Sequence, residues 1–244
     1  MKLYKYMRAD HALEVIRTGM IKVSTLEDVN DPDEFMPNFI LTLPDSRRIS
    51  ALSLPDAKEQ FKRGWCSAHG FISLSATWDN NAMWGIYGDR LRGMVLQFEV
   101  AAESQVFPVK YNNSRPNFTE HACRNLDDEK GRCFYGQKGL AWQHEQEWRI
   151  LVGYRDWIVK TLPNGKEIFF KKLDALMMLR GVLLGPYCCK TVRDVRMALE
   201  EMGMTNQTEI ITLCSAFDTY AIHAGLCERF ENGQWYIVNS PSPM

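Results

Sequence analysis

Glu145-Gln146-Glu147-Trp148-Arg149 gathers two carboxylates and a guanidinium within five residues. Read as a strand, alternation puts Glu145, Glu147 and Arg149 on one face, with Trp148, Ile150, Val152 and Tyr154 on the other. Carboxylates two residues apart on one face lie about 6–7 Å apart at their Cα atoms. Like charges that close raise at least one pKa unless a cation intervenes, and Arg149 is placed to be that cation. Such a set suits acid–base work or the stabilisation of a developing positive charge. The competing reading is a solvated edge strand with an Arg–Glu pair. Trp142, His144 and Trp148 crowd the same ten residues, and carboxylates lined by rings favour a site.

Three further segments carry polar groups at useful spacing. In Phe71-Ile72-Ser73-Leu74-Ser75-Ala76-Thr77, alternation sends Ile72, Leu74 and Ala76 to the core. Ser73, Ser75 and Thr77 then form a hydroxyl row that lets a ligand or a backbone approach closely, or simply faces solvent. In Asn80-Asn81-Ala82-Met83-Trp84-Gly85-Ile86-Tyr87-Gly88, a helix puts Trp84 and Tyr87 on one face. Those rings either belong to the core or cover a planar ligand lying on the hydroxyl row. Asn30-Asp31-Pro32-Asp33-Glu34 is a turn signal whose acids could also bind a sugar hydroxyl, a guanidinium or a metal.

The elements that must position these groups are read from periodicity and punctuation. Leu3 to Tyr6 is a short strand, Asp10 caps a helix that stops at Gly19, and Met20 to Ser24 returns as a strand. Residues 41–64 read as loop and then helix. Phe71 to Ala76 is a strand, followed by a helix from about Asp79 to Tyr87. Met94 to Val100 is strongly strand-like, with Val106 to Tyr111 as its expected neighbour. Residues 112–140 are polar and carry no clear signal. Glu147 to Tyr154 is a strand, and Pro163-Asn164-Gly165 turns a hairpin between Trp157–Lys160 and Glu167–Phe170. Gly181 to Gly185 is a buried strand, Thr191 to Met202 an amphipathic helix, and Glu209 to Cys214 a further strand. Strands outnumber helices without alternating with them, so the expected fold class is α+β: a mixed, mostly antiparallel sheet flanked by helices. The chain is read as a single domain over residues 1–244, with 181–244 as a C-terminal β-α-β elaboration.

With 244 residues, 45% of them hydrophobic and 24% charged, the chain can bury a sizeable core without a covalent staple. A formal net charge of −1 gives no general attraction for nucleic acid. No apolar run approaches the roughly 20 residues of a membrane span, so no membrane partner is expected. The seven cysteines are odd in number, show no C-x-x-C pair and follow no leader-like N-terminus, which points to a reducing cytoplasm with the thiols acting mostly as small hydrophobes. Cys188-Cys189 lacks partners at metal-ligand spacing, and Cys66-Ser67-Ala68-His69 reads as packing ahead of a nucleophile and base. No metal is expected in the site.

In order along the chain, Tyr4-Lys5-Tyr6, Asn30-Asp31-Pro32-Asp33-Glu34, Ser73 to Ser75, Met83-Trp84-Gly85-Ile86-Tyr87-Gly88 and Glu145-Gln146-Glu147-Trp148-Arg149 resemble a bacterial domain-of-unknown-function family. Its pattern runs Y-K-Y, N-D-P-x-E, M-W-x-x-Y-G and E-x-E-W-R, and the resemblance covers residues 4 to about 185. The layout also resembles the mono-ADP-ribosyltransferase superfamily, in which a polar first strand, a hydroxyl strand and a late E-x-E strand surround NAD in a split β-sheet cleft. That resemblance implies NAD as substrate, with Glu147 facing the oxocarbenium-like state and Glu145 orienting or deprotonating the acceptor. It implies Ser73 and Ser75 supporting the ribose or Glu147, Trp84 or Tyr87 stacking on nicotinamide, and Lys5 or Arg8 neutralising the pyrophosphate. Tyr6, Asn30, Asp31, Glu34 and Arg149 complete the expected NAD-binding set.

The function this implies is an NAD-dependent mono-ADP-ribosyltransferase or NAD glycohydrolase, acting on a protein, a nucleic acid or water. A toxin or phage-defence effector, with a partner protein from a defence or toxin–antitoxin operon, fits that activity. The first-strand position is Lys5 or Tyr6 where that superfamily has Arg or His, and the hydroxyl motif reads Ser73-Leu74-Ser75. These departures motivate a second reading, a non-catalytic nucleotide- or protein-binding module on the same fold. A third makes Asp31, Glu34, Glu145 and Glu147 the carboxylate–metal cluster of a nuclease.

Overall fold

A computed structural model describes residues 1–26, 28–31, 34–35, 38–42, 48–50, 69–103, 105–115, 117–119, 135–216 and 218–238. Asp33 of the acidic loop, Cys66-Ser67-Ala68 and the helix expected before residue 64 lie outside these residues. In chain order the elements begin with β1 (Lys2–Met7), α1 (Ala9–Thr18), β2 (Met20–Val23), β3 (Asn38–Thr42) and β4 (Arg48–Ser50). They continue with β5 (His69–Ser75), α2 (Asn81–Ile86), β6 (Met94–Val100), β7 (Val106–Pro108), β8 (Lys110–Asn112) and β9 (Asn117–Thr119). Next come β10 (Gln137–Gly139), a 3-10 turn (Leu140–Glu145), β11 (Glu147–Gly153), β12 (Ile158–Thr161) and β13 (Glu167–Lys172). The last are β14 (Met177–Leu184), α3 (Val192–Glu201), β15 (Glu209–Ser215), β16 (Ile222–Glu231) and β17 (Gln234–Val238). The expected mixed, mostly antiparallel sheet protein with few helices is observed.

The chain divides into two compact units, one made of Met1–Ile21, Leu74–Glu103 and Phe170–Met244, the other of Lys22–Ser73 and Ser104–Phe169. In the first unit the strands run in the order β17-β16-β15-β14-β6-β1. All neighbours are antiparallel except β14 and β15. Met94, Val95 and Leu96 of β6 are all fully buried, so this strand is covered on both faces and reads as a continuous apolar run. On one face Val95 meets Tyr6, Trp84, Leu183, Leu213 and Ile222 in a single hydrophobic cluster. Helices α1 and α3 pack on each other.

Two capping expectations meet different outcomes. Asp10 does not cap α1: Arg8 occupies the N-cap without a side-chain bond, while Asp10 sits in the first turn and pairs with Lys190 at 2.8 Å. Gly19 ends the helix in the left-handed region at φ 61°, as its lack of a Cβ allows. Thr191 caps α3 with Asp194 in a capping box. The C-terminal β-α-β is present as β14-α3-β15, and β14 also pairs with β6, which makes the segment part of the sheet. β16 and β17 extend that sheet through an Asn232-Gly233 turn with φ of 50° and 82°. Asn-Gly suits such a turn, because both central residues of a tight type I′ hairpin take positive φ.

In the second unit β5, β11 and β7 lie side by side. The expectation that residues 106–111 neighbour Met94–Val100 is corrected: β7 pairs antiparallel with β11, Phe107 opposite Arg149. The short strands β8 and β10 pair in parallel, with Lys138 opposite Tyr111. Part of the 41–64 segment is strand, β3 pairing with β4 and β9. The Pro163-Asn164-Gly165 turn joins β12 to β13 as expected, with Gly165 at φ 81°. Gly70 lets β5 meet the end of β2, because a Cβ there would lie 2.4 Å from Val23 Cγ1. No helix among the described residues is long and apolar enough to cross a membrane.

Candidate functional site

The acidic segment does not form one continuous strand. Glu145 is the last residue of the 3-10 turn, Gln146 adopts a left-handed φ of 44°, and β11 begins at Glu147. Strand alternation therefore fails to explain why the two carboxylates converge. They meet because a third residue collects them. Lys138 on β10 places Nζ 2.6 Å from Glu145 Oε2, 3.5 Å from Glu147 Oε2 and 3.5 Å from Glu34 Oε2.

Glu147 and Arg149 do share a face of β11. Arg149 Nε donates to Glu147 Oε1 and Nη2 to Glu147 Oε2, both at 2.8 Å. Nη2 also bonds Glu34 Oε1, and Nη1 donates to the Tyr135 carbonyl. The guanidinium packs against the neighbouring rings of Phe35 and Phe71, 4.7 and 5.0 Å from their centroids. Glu34, Lys138, Glu145, Glu147 and Arg149 are each no more than 9% exposed, so this is a desolvated ionic cluster. Burial pulls the Arg149 guanidinium down to about 9, which leaves it charged at neutral pH.

Beyond Phe35 and Phe71, the rings of Tyr111, Trp142 and His144 lie near the cluster. Tyr111 Oη accepts the Glu147 backbone N–H at 2.7 Å, and burial, ahead of the nearby glutamate charges, pushes its phenol up to about 12. The half-buried Trp142 ring lies 4.9 Å from Lys138 Nζ and stacks on His144 at 6.2 Å.

Compared with protein families, curated proteins and solved structures, the chain has no match. A carboxylate whose two oxygens accept from one guanidinium is rigid and ionised, suited to facing positive charge and ill suited to taking a proton. Glu145 accepts from the Lys138 ammonium through Oε2. Lys138 and Arg149 fill the space a divalent ion would need between Glu34, Glu145 and Glu147.

The expected site residues fall into two groups. Glu34, Glu145, Glu147 and Arg149 come together in the second unit, where Asp31 is buried one turn before Glu34, Asn30 is exposed and Ser73 is half-buried. Lys5, Tyr6, Arg8, Ser75, Trp84 and Tyr87 belong to the first unit. Their details revise the expectation of an open ligand face. Trp84 is wholly buried, edge-on to Tyr6 at 5.3 Å, and donates through Nε1 to the Trp78 carbonyl at 2.7 Å. Tyr87 packs against the same cluster, and Ser75 is buried opposite Tyr4. Trp84 and Ser75 are thus taken up in packing within this unit, while Tyr87 is half-buried. Lys5 and Tyr6 point to opposite faces of β1, and Arg8 is exposed at the start of α1. Of the described cysteines, Cys227 is buried as expected while Cys189 and Cys214 are exposed.

Lys138 is the residue that sequence reasoning misses. It sits in the polar stretch 112–140, on a three-residue strand too short to leave a periodic signal.

Proposed function

We propose that the chain is an NAD-dependent mono-ADP-ribosyltransferase or NAD glycohydrolase, on an ADP-ribosyltransferase-like split sheet, with Glu147 as its electrostatic carboxylate. The observation that supports this reading is the two-point Arg149 bond, which fixes Glu147 in orientation and charge before any substrate arrives. Cleaving the nicotinamide–ribose bond builds positive charge on the ribose, and a carboxylate already ionised and aimed lowers that barrier without reorganising. Glu145, tied to Lys138, would align the acceptor (water, protein or nucleic acid) in place of accepting its proton. NAD would reach the pair past the half-buried rings of Tyr111 and Trp142. A cytoplasmic toxin or defence effector is the setting in which such an activity makes sense.

The test is nicotinamide release from NAD by the purified chain. Wild type should release it, and Glu147→Gln should lower the rate by about 10²-fold or more, the scale of losing one preorganised electrostatic group. Circular dichroism on the same samples separates lost activity from lost fold. Absence of both turnover and thermal stabilisation by NAD in the wild type would sink the reading. A second reading, a non-catalytic nucleotide-binding module, draws on the burial of Glu147 and the commitment of both its oxygens to Arg149. NAD that stabilises wild type and Glu147→Gln equally, with no turnover, would select it.

A further inference from the structure

We infer that the first unit carries a separate site for a small phosphorylated ligand, in a cleft whose anion-binding groups are Arg180 and Arg229. The cleft has a volume of about 470 Å³, enough for a sugar phosphate or a mononucleotide, and lies among β1, β6, β14, β16 and the turn Thr205–Gln207. It does not depend on the NAD reading and uses none of the residues of the ionic cluster.

A β-bulge aims the first arginine. β14 and β6 are in register at Leu179 opposite Phe98 and again at Gly181 opposite Gln97, so Arg180 is the extra residue. Bulges re-aim side chains and recur beside binding sites, whereas an ordinary cross-strand ion pair needs none. Arg180 is then fixed: Nε donates to Glu99 Oε2 at 2.8 Å and Nη1 to Gln207 Oε1 at 3.1 Å. Because the Gln207 oxygen is taken, its NH₂ remains as a donor.

Arg229 is held differently. Its Nε donates to Glu209 Oε1 at 2.6 Å, and its Nη1 and Nη2 groups have no protein acceptor among the described residues. A guanidinium pinned at Nε and open at its far edge is a preformed fork for a phosphate. Glu99 and Glu209 are neutralised by the arginines they orient. Lys2 adds a third cation to the lining, and Glu231 is the remaining carboxylate. The three side-chain cations and three carboxylates of the lining balance formally, and the uncommitted N–H groups of Arg229 and Gln207 are what a phosphate would engage.

Titration calorimetry and amide chemical-shift mapping with inorganic pyrophosphate, adenosine monophosphate and adenosine test the site. The two phosphorylated probes should bind saturably and shift amides of β14, β16 and residues 205–209, while adenosine does not. Arg229→Gln should weaken binding at least tenfold. Arg229→Lys should also weaken it, since an ammonium keeps the charge and loses the fork, and Glu231→Gln should strengthen it. Glu147→Gln should leave it unchanged, which keeps this outcome distinct from that of the NAD-turnover test. No saturable binding, equal binding of adenosine, or indifference to both Arg229 substitutions in folded protein would overturn the assignment.

Discussion

Arg149 and Glu147, two residues apart on β11, are joined by two parallel bonds of 2.8 Å, with the Arg149 side chain fully buried and that of Glu147 6% exposed. Removing one member strands the other in low dielectric. Arg149→Met is expected to cost about 3–5 kcal/mol in urea denaturation, the usual penalty for an uncompensated buried charge. The double variant with Glu147→Met should cost less than the two single losses summed, by more than about 1 kcal/mol. Strict additivity would mean the pair is not coupled.

Tyr111 gives the cluster an alkaline signature. Its phenol ionises near 10 in an unfolded chain and at about 12 in the fold. Between those values the folded state holds a proton that the unfolded state has lost, so stability falls as pH rises from 10 to 12. Tyr111→Phe should flatten that decline and lose the acceptor for the Glu147 N–H. Melting temperatures of both proteins across pH 9 to 12 check this, and parallel curves would refute it.

The M-W-x-x-Y-G segment makes a packing prediction. A Cβ on Gly88 would lie 2.4 Å from Trp84 Cε3, and the ring is also closed in by Gly185. Gly88→Ala should destabilise by about 1–3 kcal/mol through overpacking. Trp84→Ala should cost more, about 3–5 kcal/mol, by leaving a cavity. Chemical denaturation ranks the two, and a neutral Gly88→Ala would show that the ring has room to move.

These residues also mark how far the sequence could be read. The strands β1, β2, β5, β6, β11, β12, β13 and β14 and the helices α1, α2 and α3 were legible because apolar periodicity and the turn residues Gly19 and Gly165 speak locally, whereas β3, β4 and the short strands β8 to β10 were not. The Glu147–Arg149 pair was legible for the same reason, being two residues apart on one strand. Lys138 was not, because what makes it important is a set of partners distant in sequence. The pairing of β7 with β11 was hidden similarly, since strand order is fixed by burial of whole faces and not by neighbouring residues. Trp84 and Ser75 misled in the opposite direction: polar or aromatic spacing on a strand or helix looks the same whether the covering layer is ligand or protein.

Glu34 and Arg149 are 115 residues apart in the chain, and their bond closes a loop of that length. Closing so long a loop is entropically expensive, so a folding chain should complete this bond after its rate-limiting step. Substituting Glu34 or Arg149 should therefore speed unfolding and leave refolding nearly unchanged, a shift confined to one arm of the chevron. The buried charges would then act as a clasp on the lifetime of the folded state, deciding how long the protein survives and not how quickly it forms.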